Sequence, residues 1–137
     1  MVPGASTAVT LADLNSDGRP ELIFATNRGG VQIFTGTPTP TAVQRVLAVR
    51  LEGAAGNSAA VGARATLTVP GSGTSRTQEV AAGSGSLGAS ETTLWFGLGG
   101  TDPAAPADLA IRWPDGRISY AKVPAGARTV SLKPPPP

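Results

Sequence analysis

An all-β fold is what this sequence predicts: an antiparallel β-sandwich preceded by a separate three-stranded hairpin unit. Three observations carry the prediction. Apolar residues recur at every second position in short runs, the period of a strand with one buried face. The runs are separated by turn residues drawn from 18 glycines and 13 prolines, which disfavour long helices. At 137 residues the chain has room for one ordinary domain, or a small domain with an appendage.

Three strands are expected first, over Thr7–Leu11, Leu22–Thr26 and Val31–Phe34. Asn27-Arg28-Gly29-Gly30 joins the last two as a hairpin turn. Thr35-Gly36-Thr37-Pro38-Thr39-Pro40-Thr41 holds two prolines and no apolar anchor, which divides the chain into a unit at 1–37, a linker at 38–42 and a domain at 43–133. Within that domain Leu47, Val49 and Leu51 share one face of a strand, and Ala65, Leu67 and Val69 share one face of the next. Leu94, Phe96 and Leu98 repeat the alternation, followed by Leu109, Ile111 and Trp113, by Ile118 and Tyr120, and by Val130 and Leu132. Pro114-Asp115-Gly116 is a tight turn, with proline early and glycine where φ must be positive. The closing Pro134-Pro135-Pro136-Pro137 is an extended tail.

The run Asp13-Leu14-Asn15-Ser16-Asp17-Gly18-Arg19-Pro20-Glu21 stands apart, with side-chain oxygens at alternate positions before a glycine. A hard cation such as calcium takes six to eight oxygens at about 2.3–2.6 Å, and a tight loop delivers them from alternate residues. Asp13, Asn15 and Asp17 are the side-chain ligands expected, the Arg19 carbonyl is next in phase, and Glu21 closes the shell. The EF-hand loop begins the same way but lies between helices and ends in a twelfth-position glutamate, and neither holds here. The flanking runs Ala8–Leu11 and Leu22–Ala25 are strand-like. The competing reading is a polar turn, in which three neighbouring carboxylates would repel one another without a counter-ion. The calcium is expected to be structural rather than regulatory.

Composition closes off much chemistry. With no cysteine and no histidine, the chain has no disulfide, no thiolate site, no imidazole base and no histidine metal ligand. Net charge is −1 up to Thr37 and +3 after it, and the basic residues stand singly, so nucleic acid is not an expected partner. No apolar run is long enough to span a bilayer, and the first residues lack the basic and apolar regions of an export signal. A loop working at millimolar calcium suits the outside of the cell.

Two resemblances follow from these motifs. Thr7 to Thr35, with its strand, its Asp-x-Asn-x-Asp-Gly-x-x-Glu-Leu loop and its hairpin, resembles one FG-GAP or VCBS repeat, a blade of calcium-binding β-propellers. Glu21 stands where that family usually has aspartate, and there is one repeat where a propeller closes with several. Arg45 to Leu132 resembles the ASPIC/UnbV domain, which follows such repeats in cartilage acidic protein and its bacterial relatives. The matching pieces are Gly53 through Asn57-Ser58, Val61-Gly62-Ala63-Arg64, Gly83-Ser84-Gly85, Phe96-Gly97-Leu98-Gly99 and Trp113-Pro114-Asp115-Gly116-Arg117. Ser86 stands where the family often has an aromatic. The resemblance implies a propeller-blade-like unit followed by a secreted module, with no catalytic residues to carry over.

The marked residues of the second region have structural readings. Gly97 and Gly99 suggest a bulge, Trp113 a core anchor, and Asn57 a turn side chain bonded to nearby backbone; Arg64 is expected to pair with an acid or to be solvated. Among Glu79, Glu91, Asp102, Asp108 and Asp115 nothing singles out a catalytic pair. Asp102 is placed in, and Asp108 at the end of, an exposed Pro/Ala-rich loop at 101–107, and Asp115 in its turn. No enzyme activity is expected. Two functions fit: a calcium-stabilised extracellular module binding a protein or glycan, or a structural cap on a repeat array. The chain is expected to be a monomer, with dimerisation through the lone blade as the alternative.

Overall fold

The computed structural model describes residues 6–27, 29–36, 45–71, 73, 75–83, 88–99 and 105–136. Among them there is no helix, and ten strands form three sheets. The all-β expectation therefore holds. The chain divides into two compact units, one formed by Met1–Pro38 with Ala82–Glu91 and the other by Thr39–Ala81 with Thr92–Pro137. The proposed linker at 38–42 lies outside the described residues, as do the Ser84-Gly85 part of Gly83-Ser84-Gly85 and Asp102.

In the first unit β1 (Ser6–Ala12), β2 (Glu21–Thr26) and β3 (Val31–Phe34) form an antiparallel sheet in that order. The register places Val9 opposite Phe24 and Leu22 opposite Phe34, while Ile23 lies opposite Ile33. Apolar side chains thus occupy both faces, and the Phe24 and Phe34 rings meet edge to face at 5.5 Å. At the β2–β3 turn the Thr26 hydroxyl donates to the Gly30 carbonyl at 3.0 Å, and any Cβ at Gly29 would collide with that hydroxyl. Gly88 and Ala89 lie against β1: the Thr10 hydroxyl donates to the Ala89 carbonyl at 3.0 Å, and a Cβ at Gly88 would meet the Ala8 methyl at 3.0 Å.

The second unit holds the core. One sheet runs in the order β10 (Thr129–Leu132), β4 (Arg45–Leu51), β7 (Leu94–Gly99). The other runs β6 (Ser75–Glu79), β5 (Arg64–Thr68), β8 (Ala107–Arg112), β9 (Ile118–Val123). Leu47, Val49, Phe96, Leu109, Ile111 and Trp113 pack in a single apolar cluster. Each such side chain stabilises the fold by about 1.5–3 kcal/mol when fully removed from water.

Four features depart from the sequence reading or sharpen it. First, β10 pairs with β4 in parallel, so the sandwich is not purely antiparallel. Second, the Ile118–Tyr120 alternation points outward, not to the core: Ile118 is 54% and Tyr120 81% exposed. The other phase of the same strand faces inward, with Val123 buried and Ser119 accepting the Trp113 indole N–H at 2.9 Å. Third, Asp108 lies in β8 rather than in an exposed loop, and Ala107 is buried. Fourth, β6 is a strand of wholly polar sequence that the alternation gave no sign of.

The two sheets are also joined along one margin without a backbone ladder. Gln78 of β6 donates to the Trp95 carbonyl of β7 at 2.6 Å and accepts from the Trp95 N–H at 3.1 Å. Two residues away, the Arg76 guanidinium donates to the Gly97 carbonyl. A side-chain amide here does the bonding that a peptide group does inside a sheet. The bulge expected at Gly97 and Gly99 is present: Arg45 pairs with Gly99 and Val46 with Gly97, leaving Leu98 as the extra residue, with Gly99 at φ +61°.

Candidate functional site

The acidic loop spans the β1–β2 connection. Its short side chains fold back on their own backbone: Asp13 accepts from the Asp17 N–H at 3.2 Å and from the Gly18 N–H at 3.0 Å, and Asn15 accepts from the Asp17 N–H at 2.9 Å. Asp17 accepts from the Arg19 N–H at 2.9 Å, and Gly18 supplies the positive φ of +82° that turns the chain. Glu21, the first residue of β2, is 2% exposed and accepts from the Leu14 N–H at 2.8 Å. Among the described residues no ion pair reaches that buried carboxylate.

Asp13, Asn15, Asp17, the Arg19 carbonyl and Glu21 fit a hard cation by donor chemistry, and a buried carboxylate without a cation is costly enough to favour one. The acids do not converge: among the described residues no group of three or more metal-ligating acids is assembled. The loop therefore brings the five residues onto one turn but spends its side-chain oxygens on backbone N–H groups.

A second candidate region gathers the glycine, asparagine and tryptophan motifs of the sandwich. After β4 the chain folds through tight turns in which the Asn57 side chain donates to the Val61 carbonyl and accepts from the Val61 N–H, both at 2.9 Å. Gly53 has no alternative there, because a Cβ would run into the Asn57 carbonyl and sit 2.8 Å from the Ala60 nitrogen. Opposite lies the Trp113–Arg117 turn, closed by the Gly116 N–H to the Trp113 carbonyl at 2.9 Å and the Trp113 N–H to the Arg117 carbonyl at 2.8 Å. Arg117 binds the Asp115 carboxylate at 2.7 Å and donates to the Pro135 carbonyl at 2.5 Å, anchoring the proline tail. Between the two turns is a cleft of about 110 Å³ lined by Asn57, Trp113, Asp115 and Arg117.

The family model for ASPIC and UnbV matches residues 53–136, more than half of the chain, and the match runs through both turns. The chain belongs to the ASPIC/UnbV family. This is a non-enzymatic domain family. The match does not cover Thr7–Thr35, so the FG-GAP/VCBS likeness of that segment remains a resemblance carried by its loop. No curated protein matches the chain.

Among the described residues of the second unit, the acids that could form a catalytic pair are held by neighbours. Glu79 pairs with Arg64 at 2.6 Å, Asp108 with Lys122 at 3.1 Å and Asp115 with Arg117, whereas Glu91 is an exposed residue of the first unit. The side-chain and backbone N–H bonds from Arg117 hold the Asp115 carboxyl below its ordinary value. Asn57 and Trp113 take the structural roles expected of them.

Sequence reasoning missed the outward face of the β6-β5-β8-β9 sheet. Register sets Thr77, Thr66, Ala110 and Tyr120 abreast in one row. The next row holds Ser75, Thr68, Asp108 and Lys122. The signal was present in Thr66 and Thr68, which alternate with buried Ala65 and Leu67.

Proposed function

We propose that this chain is a non-catalytic, calcium-stabilised extracellular binding or adhesion module, forming the C-terminal part of a secreted propeller protein. The observation that carries the reading is Glu21, a carboxylate 2% exposed on a loop whose other side-chain donors are all oxygen. With calcium bound, Asp13, Asn15, Asp17, the Arg19 carbonyl and Glu21 would hold it, and its charge would offset the repulsion among the three acids. β1 and β2 are then tied at the end where Ala12 pairs with Glu21. A calcium loop that works at millimolar ion concentration suits an extracellular module, and the partner in this reading is an extracellular protein or a glycan. Nucleic acid and membrane insertion have no part in the proposal. Among the described residues no helix is long and apolar enough to cross a membrane.

A structural cap is the second reading. It is favoured by the first unit, where Val9, Leu22 and Phe34 are exposed on one face and Val31 and Ile33 on the other. A sheet apolar on both faces suits a blade set among other blades.

Calorimetric titration of calcium into the metal-free chain tests the metal, with adhesion to an immobilised cell-surface extract measured in calcium and in chelator. Saturable binding near one ion per chain and a raised melting temperature are expected, with Asp17→Ala weakening affinity at least about tenfold, a change of about 1.4 kcal/mol. Undiminished binding by Asp17→Ala would refute the ligand set. Adhesion to the extract is expected of the binding module, and its absence would leave the cap.

A further inference from the structure

We propose that the outward face of the β6-β5-β8-β9 sheet is a binding site for a neutral carbohydrate, with Tyr120 as its stacking platform. The inference rests on the binding-module reading and names its ligand class. The face carries a concavity of about 590 Å³ whose polar and aromatic lining comes from Thr66, Thr68, Asp108, Tyr120 and Lys122. That volume lies within the range of about 300–1,000 Å³ usual for small-ligand sites.

Tyr120 is 81% exposed, so its ring contributes little to the core. Its row neighbour Ala110 carries only a methyl group, which leaves space beside the ring. An aromatic face is electron-rich and attracts the weakly positive C–H groups of a flat apolar surface. Beyond Ala110 the Thr66 and Thr77 hydroxyls are bonded to each other at 2.8 Å, and the Thr68 and Ser75 hydroxyls likewise at 2.8 Å. Each such pair shares one hydrogen and so keeps one O–H and several lone pairs for a ligand. Lys122 and Asp108, 3.1 Å apart, add donors and acceptors side by side at no net charge.

The ligand that answers this arrangement has an apolar face, a rim of hydroxyls able both to donate and to accept, and no charge. A sugar ring has all three. A polyanion would find the lining neutral, since Lys122 is offset by Asp108. A peptide adding as a strand would use a sheet edge rather than its face.

The test is isotope-edited NMR of the full chain with short neutral oligosaccharides (β-1,4-glucan, mannan, xylan and galactan), with oligogalacturonate as the anionic comparison. Saturable shifts at Ala110, Tyr120 and Lys122 are expected with at least one neutral oligosaccharide and not with oligogalacturonate. Tyr120→Ala is expected to weaken that binding about tenfold or more without moving the melting temperature, and Thr66→Val to weaken it by a smaller factor. Absence of shifts with all four neutral sugars overturns the proposal, as does binding indifferent to Tyr120→Ala. If the sugars fail while adhesion to the cell-surface extract persists, the carbohydrate site falls and the binding-module reading stands. If adhesion fails as well, both fall.

Discussion

Asp115 shows how a single side chain can be both motif and mortar. Its carboxylate accepts from the Arg117 backbone N–H at 3.0 Å and from the Arg117 side chain at 2.7 Å, and these bonds lower its titration below the ordinary value of 3.8. A depressed carboxylate stabilises the fold above its unfolded-state value, and that contribution disappears as pH falls through the folded-state value. The carboxyl resonance of Asp115 should therefore titrate below 3.8, and Arg117→Gln should move it upward. A midpoint unmoved by Arg117→Gln would show that the pairing does not control it. At this scale the sequence was informative where local chemistry decides the outcome, as for Asn57, Trp113 and the Gly116 turn. It was misleading for Ile118 and Tyr120, because Ile-Ser-Tyr-Ala-Lys-Val presents apolar residues in both phases and only the partner strand chooses between them.

Strands announce themselves when one face is apolar, and β4, β5, β7 and β8 did so. β6 did not, since Ser75–Glu79 is an edge strand whose side chains serve neighbours and solvent rather than the core. Its Gln78 bridge makes a prediction for the element. Gln78→Leu should leave the Trp95 N–H and carbonyl without their partners, at a cost of about 1–3 kcal/mol for each group left buried and unbonded. Urea unfolding should shift accordingly, and hydrogen exchange at the Trp95 amide should accelerate more than at Val49 or Leu109. Equal acceleration at all three would mean that the bridge is not a local fastening. The acidic loop was legible as an element because alternation and glycine placement are local. Its burial of Glu21 was not, since that depends on the way β2 begins.

For the molecule as a whole, the division into units follows space rather than sequence. Ala82–Glu91 belongs to the first unit although the chain on both sides of it builds the second. Removing residues before Pro38 should leave the ASPIC/UnbV core folded, because the whole apolar cluster comes from residues after that point. Circular dichroism and a cooperative urea transition would register its survival, while the NMR resonances of the Ala89 carbonyl carbon and the Ser90 side chain should shift as the Thr10 hydroxyl is lost. Loss of the cooperative transition would show that the core depends on the three-stranded sheet. What sequence could not convey at this scale was the pairing of strands far apart along the chain, since no local pattern specifies it. The parallel ladder between β4 and β10 is the clearest instance, and it bears on biosynthesis. β4 emerges from the ribosome long before Thr129–Leu132, so one of its edges stays open while most of the domain is made. During that interval Leu47, Val49 and Leu51 sit on a strand with an unpaired edge, and a translational pause before Arg128 would prolong the time in which a chaperone or a misfolded neighbour can claim it.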